Sequence, residues 1–316
     1  SSAALEVSTM NAVCAAFGIE LSGKETAILC QKTENLIVGA PCGVMDQMTS
    51  ACGEANRLMS MLCQPAELQE SVNIPDEIEF WGIDSGVRHA VVGADYGSVR
   101  VGTFMGFRII AEIVGLKVEQ LEKNRVKIED SRWKNHLSNI TPSEFEQYFA
   151  ANLPEKISGA EFLEKYHGTT DSVTKVEKEK IYAVKMPTAH AVYEHFRVRM
   201  FAEILKGELN ETKLKLLGEL MFQSHASYAA CGLCENGTNL LVKLVRENEQ
   251  KNLFGAKITG GGSGGTVAVL AKKGSEDLIN EIVRKYEKET GLKSYVFKGS
   301  SPGAFQFGTL KLKYSI

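Results

Sequence analysis

Apolar positions at helical spacing mark three helices in the first part of the chain. The first is predicted from the amino-terminal serines to Gly18, because apolar residues recur along it at helical intervals. Ser22 and Glu25 form a capping box, which predicts the start of the second helix. A tight turn at Gly39-Ala40-Pro41 then leads into a third helix, expected to open at Gly43.

Short apolar segments bounded by turn residues predict strands further along the chain. Residues 58–63 and 78–84 have this pattern. The charged stretch 116–180 has a mostly helical pattern. Four further helices are predicted at residues 102–114, 191–205, 213–230 and 239–246.

Strands and helices alternate near the carboxyl terminus. A strand, a glycine-rich loop and a second strand are predicted over residues 256–270, followed by a helix at 276–290. Strands at 294–297 and 309–314 are expected to close the chain. These intervals suit a sheet backed by helices on one side, so the predicted fold class is α+β.

Composition narrows the class of protein. The chain has 316 residues and a formal net charge of −3, so it can hold one large domain or two ordinary ones and has no basic surface suited to nucleic acid. It has no apolar run long enough to span a bilayer. Its seven cysteines, an odd number without a small-scaffold pattern, favour a reducing compartment, and we expect a cytoplasmic protein.

One cysteine pair, Cys231 and Cys234, has the spacing of a redox dithiol or of half a zinc site. Thioredoxin-like pairs follow a strand and open a helix, whereas this pair follows a helical run and leads into a turn. No second cysteine or histidine pair lies at zinc-finger spacing. Redox or zinc chemistry is therefore the weaker interpretation.

Two acidic residues lie on either side of the predicted turn. Glu34 belongs to the helix before it, and Asp46 to the first turn of the helix after it. Such an arrangement can hold a metal-bound phosphate beside a reacting hydroxyl. The alternative is an ordinary helix–turn–helix in which Asp46 only favours the local helix dipole, and these residues alone leave both interpretations open.

The glycine-rich segment 260–265 also has two interpretations. As composition alone it could be a flexible linker. Predicted strands on both sides favour a structured loop instead, because consecutive glycines permit positive φ and close approach of the backbone to an anion.

Residues 39–47 closely resemble the sugar-contacting segment of galactokinases, which belong to the GHMP family of small-molecule kinases. Residues 1–7 and 257–267 support the resemblance. The sequences of residues 31–35 and 48–50 are most similar to those of the plant-type L-arabinokinase branch of the family. The resemblance implies a two-domain fold: a ribosomal-S5-like amino-terminal domain, incomplete here, and a ferredoxin-like carboxyl-terminal domain. We place these domains at residues 1–72 and 73–316.

The same resemblance implies a reaction. ATP with Mg²⁺ would phosphorylate a monosaccharide at its anomeric hydroxyl, with L-arabinose as the first choice of substrate and galactose as the second. A non-catalytic, galactokinase-like sugar sensor is the alternative from another functional class.

Site residues follow from the resemblance position by position. It implies that Ser2 and Glu34 bind the metal and that Asp46 faces the reacting hydroxyl, as a proton acceptor or as an electrostatic aid. It further implies that the sugar contacts Gly43, Asp46 and Tyr96. The implied nucleotide-binding residues are Ser1, Ser2, Gly260, Gly261, Gly262 and Ser263.

The resemblance has a gap at the front. The family's first sugar-binding motif and the glycines of its phosphate loop would precede Ser1 and are not among these 316 residues. We therefore expect a truncated kinase region whose isolated chain is inactive or barely active.

Overall fold

The computed structural model describes residues 2–87, 94–122 and 124–313. These residues form two compact units: Ser1–Asp76 together with Lys298–Ile316, and Glu77–Phe297. The predicted domains, 1–72 and 73–316, stay a prediction about the family's domains; the compact units differ from them mainly in assigning the carboxyl-terminal segment to the first unit.

The three predicted amino-terminal helices are present in the first unit. They are α1 Ser2–Phe17, α2 Gly23–Thr33 and α3 Met45–Cys52. The capping box of α2 is confirmed, since the Ser22 hydroxyl accepts the Glu25 N–H and the Glu25 carboxylate accepts the Ser22 N–H. A short π-helix, Glu34–Val38, follows α2 directly and ends at Gly39, whose φ of +79° is left-handed.

The three helices surround a small apolar core that contains Val7, Ala27 and Met48. Two antiparallel strand pairs follow in the chain, β1 with β4 and β2 with β3. Their bounds are β1 Arg57–Leu58, β2 Met61–Leu62, β3 Glu67–Leu68 and β4 Val72–Asn73.

The second unit is built on a four-stranded antiparallel sheet of order β11-β12-β5-β13. A second sheet has the order β6-β7-β9, and β8 pairs with β10. The strands are β5 Ile78–Asp84, β6 Lys117–Glu122, β7 Asn124–Glu129, β8 Lys156–Ser158, β9 Gly168–Thr169, β10 Ile181–Ala183, β11 Leu253–Ile258, β12 Thr266–Lys272 and β13 Val296–Phe297.

Helices cover these sheets and enclose two apolar cores. One core lies against the four-stranded sheet, and the other includes the fully buried Trp133 and part of α4. The helices are α4 Ala94–Ile113, α5 Pro142–Tyr148, α6 Gly159–Tyr166, α7 Lys185–Lys206, α8 Glu211–Ala230, α9 Asn236–Arg246 and α10 Glu276–Thr290. Single 3₁₀ turns lie at Leu137–Asn139 and Glu249–Lys251.

The chain then returns to the first unit with the short helix α11 Ala304–Phe307. Within that unit, the Gly303 N–H donates to the Gly53 carbonyl at 2.6 Å and the Asn56 N–H donates to the Ser300 hydroxyl at 2.8 Å. These bonds fasten the carboxyl-terminal segment just beyond α3.

Three predictions of local structure are wrong. Residues 58–63, predicted as one strand, include residues of two separate short strands, β1 and β2, which pair with β4 and β3. The stretch 116–180 contains strands as well as short helices. In β7, Val126 and Ile128 are buried while Lys127 and Glu129 are exposed. The frequent charges of such alternating strands were mistaken for the polar face of a helix. Residues 309–313 of the predicted last strand form no strand. Leu310 and Leu312 remain exposed there, and a strand needs a partner for its backbone groups.

Candidate functional site

The first candidate site joins the start of α1 to the start of the π-helix that follows α2. The Ser2 hydroxyl, in the first turn of α1, donates to Glu34 Oε1 at 2.9 Å. Glu34 is half-buried and Ser2 is exposed, so the pair can be reached from solvent. The structure therefore brings together the two residues predicted to bind the metal.

The turn that carries Gly43 is fastened to the helix before it. The Cys42 N–H donates to Asn35 Oδ1 at 2.8 Å, and Gln31 Nε2 donates to the Cys42 carbonyl at 3.2 Å. Both backbone groups of Cys42 are thus occupied, which fixes the path of the chain into α3. Gly43 and Asp46 keep a defined position relative to Glu34 as a result.

Asp46 lies in the first turn of α3. Its side chain is exposed at the surface, but the protein on its other sides desolvates the carboxyl group and raises its pKa, and the charge of Glu34 raises that pKa further. A carboxylate with a raised pKa is a better proton acceptor than an ordinary surface aspartate.

Two further residues, Gln47 and Glu6, belong to this cluster and were not predicted. Gln47 is 1% exposed, and its Nε2 donates to Glu34 Oε2 at 2.5 Å and to Glu6 Oε2 at 3.4 Å. The sequence did hold a signal for Glu6, which lies one helical turn after Ser2 on α1 and hence on the same face.

The donor set at Ser2 and Glu34 is compatible with Mg²⁺. This ion prefers oxygen ligands and usually takes only one or two from carboxylates, the rest coming from water and phosphate. Within the described ranges no group of three or more His, Cys, Asp or Glu side chains is arranged to hold a metal ion. A hydroxyl and a carboxylate oxygen 2.9 Å apart suit an ion shared with phosphate and water.

The second candidate site is the glycine loop between β11 and β12, in the second unit. Gly260, Gly262 and Ser263 have positive φ values of 67°, 86° and 56°. Tyr228 donates its hydroxyl to the Gly260 carbonyl at 2.9 Å, and the Ser263 N–H donates to the Leu233 carbonyl at 2.8 Å. These contacts show a structured loop and contradict the flexible-linker interpretation.

Tyr96, in the first turns of α4, lies beside this loop. A Cβ atom added at Gly261 would stand 3.9 Å from Tyr96 Cδ2. The tyrosine predicted to contact the sugar and a glycine predicted to bind the nucleotide are thus neighbours in the second unit.

A partly buried polar network supports the strand that leads into the loop. Glu194 on α7 accepts hydrogen bonds from Lys257 Nζ at 3.0 Å, from the Ser224 hydroxyl at 2.6 Å and from Arg197 Nε at 2.8 Å. Burial on its own would raise the pKa of Glu194. The positive charge of Lys257 and the other hydrogen-bond donors outweigh that effect and lower this pKa to about 2. One turn earlier, burial lowers the pKa of His190 to about 4, so this imidazole is neutral at pH 7.

The Cys231 and Cys234 pair has the wrong electrostatics for redox chemistry. Burial raises the pKa of the Cys231 thiol to about 11 and that of Cys234 to about 12. Reactive cysteines need a lowered pKa, because the thiolate is the nucleophile.

The predicted residues thus fall into two groups, one in each unit. Ser2, Glu34, Gly43 and Asp46 belong to the first unit, and the loop residues 260–263 with Tyr96 belong to the second. Ser1, predicted to bind the nucleotide, lies outside the described residues.

Comparisons with known proteins identify a kinase family. A family model for the GHMP kinases N terminal domain matches residues 1–54, and one for the GHMP kinases C terminal region matches residues 205–289. L-arabinokinase of Arabidopsis thaliana is 45% identical over an alignment that covers 100% of this chain and 32% of that protein. Galactokinase of Actinobacillus succinogenes is 28% identical, with 97% of this chain and 66% of that protein aligned.

A solved structure, Lactococcus lactis galactokinase complexed with galactose, has a similar fold. Its TM-score is 0.72 at 19% identity, and the alignment covers 99% of this chain and 67% of that one. The chain spans about a third of the length of the matched L-arabinokinase and about two thirds of the matched galactokinase sequence. Among the described residues, none of the helices combines the length and apolar character needed to cross a membrane.

Proposed function

Because the chain belongs to the GHMP kinase family, we propose that it forms the kinase region of an enzyme that transfers a phosphoryl group from ATP to the anomeric hydroxyl of a monosaccharide. The observation that carries the proposal is the Ser2–Glu34 pair at 2.9 Å, with Glu34 near enough to the exposed Asp46 for its charge to raise the pKa of that carboxyl group. An ion-binding pair beside a carboxylate able to accept a proton is what phosphoryl transfer to an alcohol requires.

Ser2 and Glu34 would hold Mg²⁺, which neutralises charge on the phosphates. Asp46 accepts a hydrogen bond from the anomeric hydroxyl and orients the hydroxyl oxygen toward the γ-phosphorus of ATP. It receives the hydroxyl proton as the new oxygen–phosphorus bond forms and the bond from phosphorus to the departing ADP breaks. Its raised pKa favours the last step. Gly43, which has no side chain, leaves room for the sugar next to the backbone.

The glycine loop and Tyr96 would contribute in a different way. Gly260 and Gly262 have positive φ values, a conformation that is common where a glycine loop approaches an anion closely. Tyr96 offers an aromatic face and a hydroxyl group to a sugar. We propose that Gly260, Gly261, Gly262 and Ser263 contact phosphate and that Tyr96 contacts the monosaccharide.

L-arabinose is the proposed substrate. The Arabidopsis relative named L-arabinokinase is 45% identical over the whole chain, whereas the galactokinases are 28–29% identical. Galactose is the second candidate, and the same galactokinase relatives favour it.

The test is a substrate comparison on the protein in the form its gene encodes. ADP release and sugar 1-phosphate formation are measured with Mg-ATP and with L-arabinose, galactose, glucose or homoserine. We expect the highest kcat/KM with L-arabinose and phosphate at carbon 1 of the product. A higher kcat/KM with galactose would make galactose, not L-arabinose, the substrate. If the protein phosphorylates none of the sugars, the proposed function is wrong.

A further inference from the structure

Gln47 occupies an unusual place for a polar residue. It follows Asp46 in the first turn of α3, and its side chain is 1% exposed among α1, α2 and α3. Its Oε1 atom finds no hydrogen-bond partner among the described residues. Burying such an amide is costly, and an apolar residue would be cheaper if only packing mattered.

The two carboxylate oxygens of Glu34 have different hydrogen-bond partners, and the Gln47 amide bonds only one of them. Oε2 accepts from Gln47 Nε2 at 2.5 Å and from the Cys42 thiol at 3.6 Å. Oε1 accepts from the Ser2 hydroxyl at 2.9 Å. One side of the carboxylate is therefore held by the protein, and the other side faces the hydroxyl with which it would share a cation.

The same amide also restrains a second carboxylate. Gln47 Nε2 lies 3.4 Å from Glu6 Oε2, so one neutral donor stands between Glu6 and Glu34. Without it, two half-buried carboxylates would lose a shared donor, and Glu34 would be free to turn its oxygens away from Ser2.

We propose that Gln47 is a positioning residue that orients the Glu34 carboxylate for cation binding. The inference rests on the proposed kinase function, because that function supplies the reason for a cation at Ser2 and Glu34. Groups that hydrogen-bond a metal-binding side chain typically change metal affinity about 10- to 100-fold when they are removed.

The experiment compares Gln47→Met with the unmodified protein in the form its gene encodes. Met keeps the volume and removes the amide donor. Mn²⁺ serves as the probe for Mg²⁺, and its free concentration is followed by electron paramagnetic resonance in the presence of ATP. We expect Mn²⁺ affinity to fall about 10-fold or more, and the Mg²⁺ concentration that gives half-maximal turnover to rise by a similar factor. Excess Mg²⁺ should restore most of kcat.

Gln223→Met is the matched control. Gln223 also donates its amide to a carboxylate, Glu219 Oε1 at 3.1 Å, but it is exposed on α8 in the second unit. We expect this variant to bind Mn²⁺ like the unmodified protein.

Two outcomes would overturn the inference. One is unchanged Mn²⁺ affinity in a folded Gln47→Met protein. The other is a loss of kcat that excess Mg²⁺ does not relieve, which would place Gln47 in the transfer step itself. If Gln47→Met does not fold, Gln47→Asn, whose shorter amide cannot keep the same reach, is measured instead and read by the same criteria. Failure of the kinase proposal is separate, since the unmodified protein would then phosphorylate no sugar.

Discussion

Asp46 shows how far single residues could be predicted. Its acidity, its place in the first turn of α3 and its relation to Glu34 across the turn are visible in the sequence. Its raised pKa was not visible, because desolvation depends on atoms brought near by folding. The same limit hid Gln47, whose importance comes from contacts with Glu34 and Glu6 on two other helices.

Replacing Asp46 by Asn tests the assignment of the sugar-facing acid. Asn keeps the size of the side chain but cannot accept a proton, so we expect kcat to fall about 100-fold or more. ATP and sugar binding, measured by calorimetry, should change little. Asp277→Asn, at the equivalent second position of α10, is the matched control and should leave kcat unchanged. Equal kcat values for Asp46→Asn and the unmodified protein would contradict the assignment.

At the scale of elements, signals that act within a few residues were predicted well. The Ser22–Glu25 capping box and the bounds of α10 are confirmed because caps and helical periodicity act locally. The strands β6 and β7 were missed because their outward-facing charges resemble a solvated helix. The anchoring of the glycine loop through Tyr228 was also beyond the sequence, since the two are brought together only by the packing of α8 on β11.

The glycine loop allows a matched pair of substitutions. A Cβ at Gly262 would lie 2.5 Å from the Leu233 carbonyl oxygen, and its φ is +86°, so Gly262→Ala should destabilise the second unit by about 1–3 kcal/mol. Gly261 has no positive φ, and a Cβ there meets nothing closer than Tyr96 at 3.9 Å. Gly261→Ala should therefore cost under about 0.5 kcal/mol.

Urea unfolding followed by tryptophan fluorescence measures both variants. The chain's two tryptophans, Trp81 and Trp133, belong to the second unit, so the signal reports on that unit alone. Equal stability of the two alanine variants would show that the loop does not depend on the contacts described here.

At the scale of the whole molecule, the sequence predicted an α+β kinase fold but not the composition of its compact units. The carboxyl-terminal segment returns to the first unit through contacts such as the Asn56–Ser300 bond, which joins residues 244 positions apart. No local pattern encodes a pairing of that range. The family resemblance therefore predicted more of the fold than hydrophobic periodicity did, because it uses motifs from both ends of the chain.

The stability of the second unit should depend on pH. The pKa of His190 is lowered to about 4 from 6.5, so between these values the unfolded chain binds a proton that the folded one does not, and stability falls as the pH falls. The pKa of Glu194 is lowered to about 2 from 4.5, so its contribution is present above pH 4.5 and is lost on further acidification.

His190→Asn separates these two contributions. The variant should lose about 2–3 kcal/mol of the stability change between pH 6.5 and 4.5. The part due to His195 and His225, whose pKa values burial also lowers, and the decline below pH 4.5 should remain. Tryptophan-monitored urea unfolding across this range measures it. His167→Asn, at an exposed helix end, should keep the pH dependence of the unmodified protein. An unchanged slope in His190→Asn would show that another group titrates.

The most direct test is a crystal structure of the protein with Mg²⁺, a non-hydrolysable ATP analogue and L-arabinose. We predict the ion at about 2.1 Å from Ser2 Oγ and a Glu34 oxygen, and the anomeric hydroxyl within hydrogen-bond distance of the Asp46 carboxylate. An ion held by other residues, or a sugar bound away from Asp46, would contradict the account.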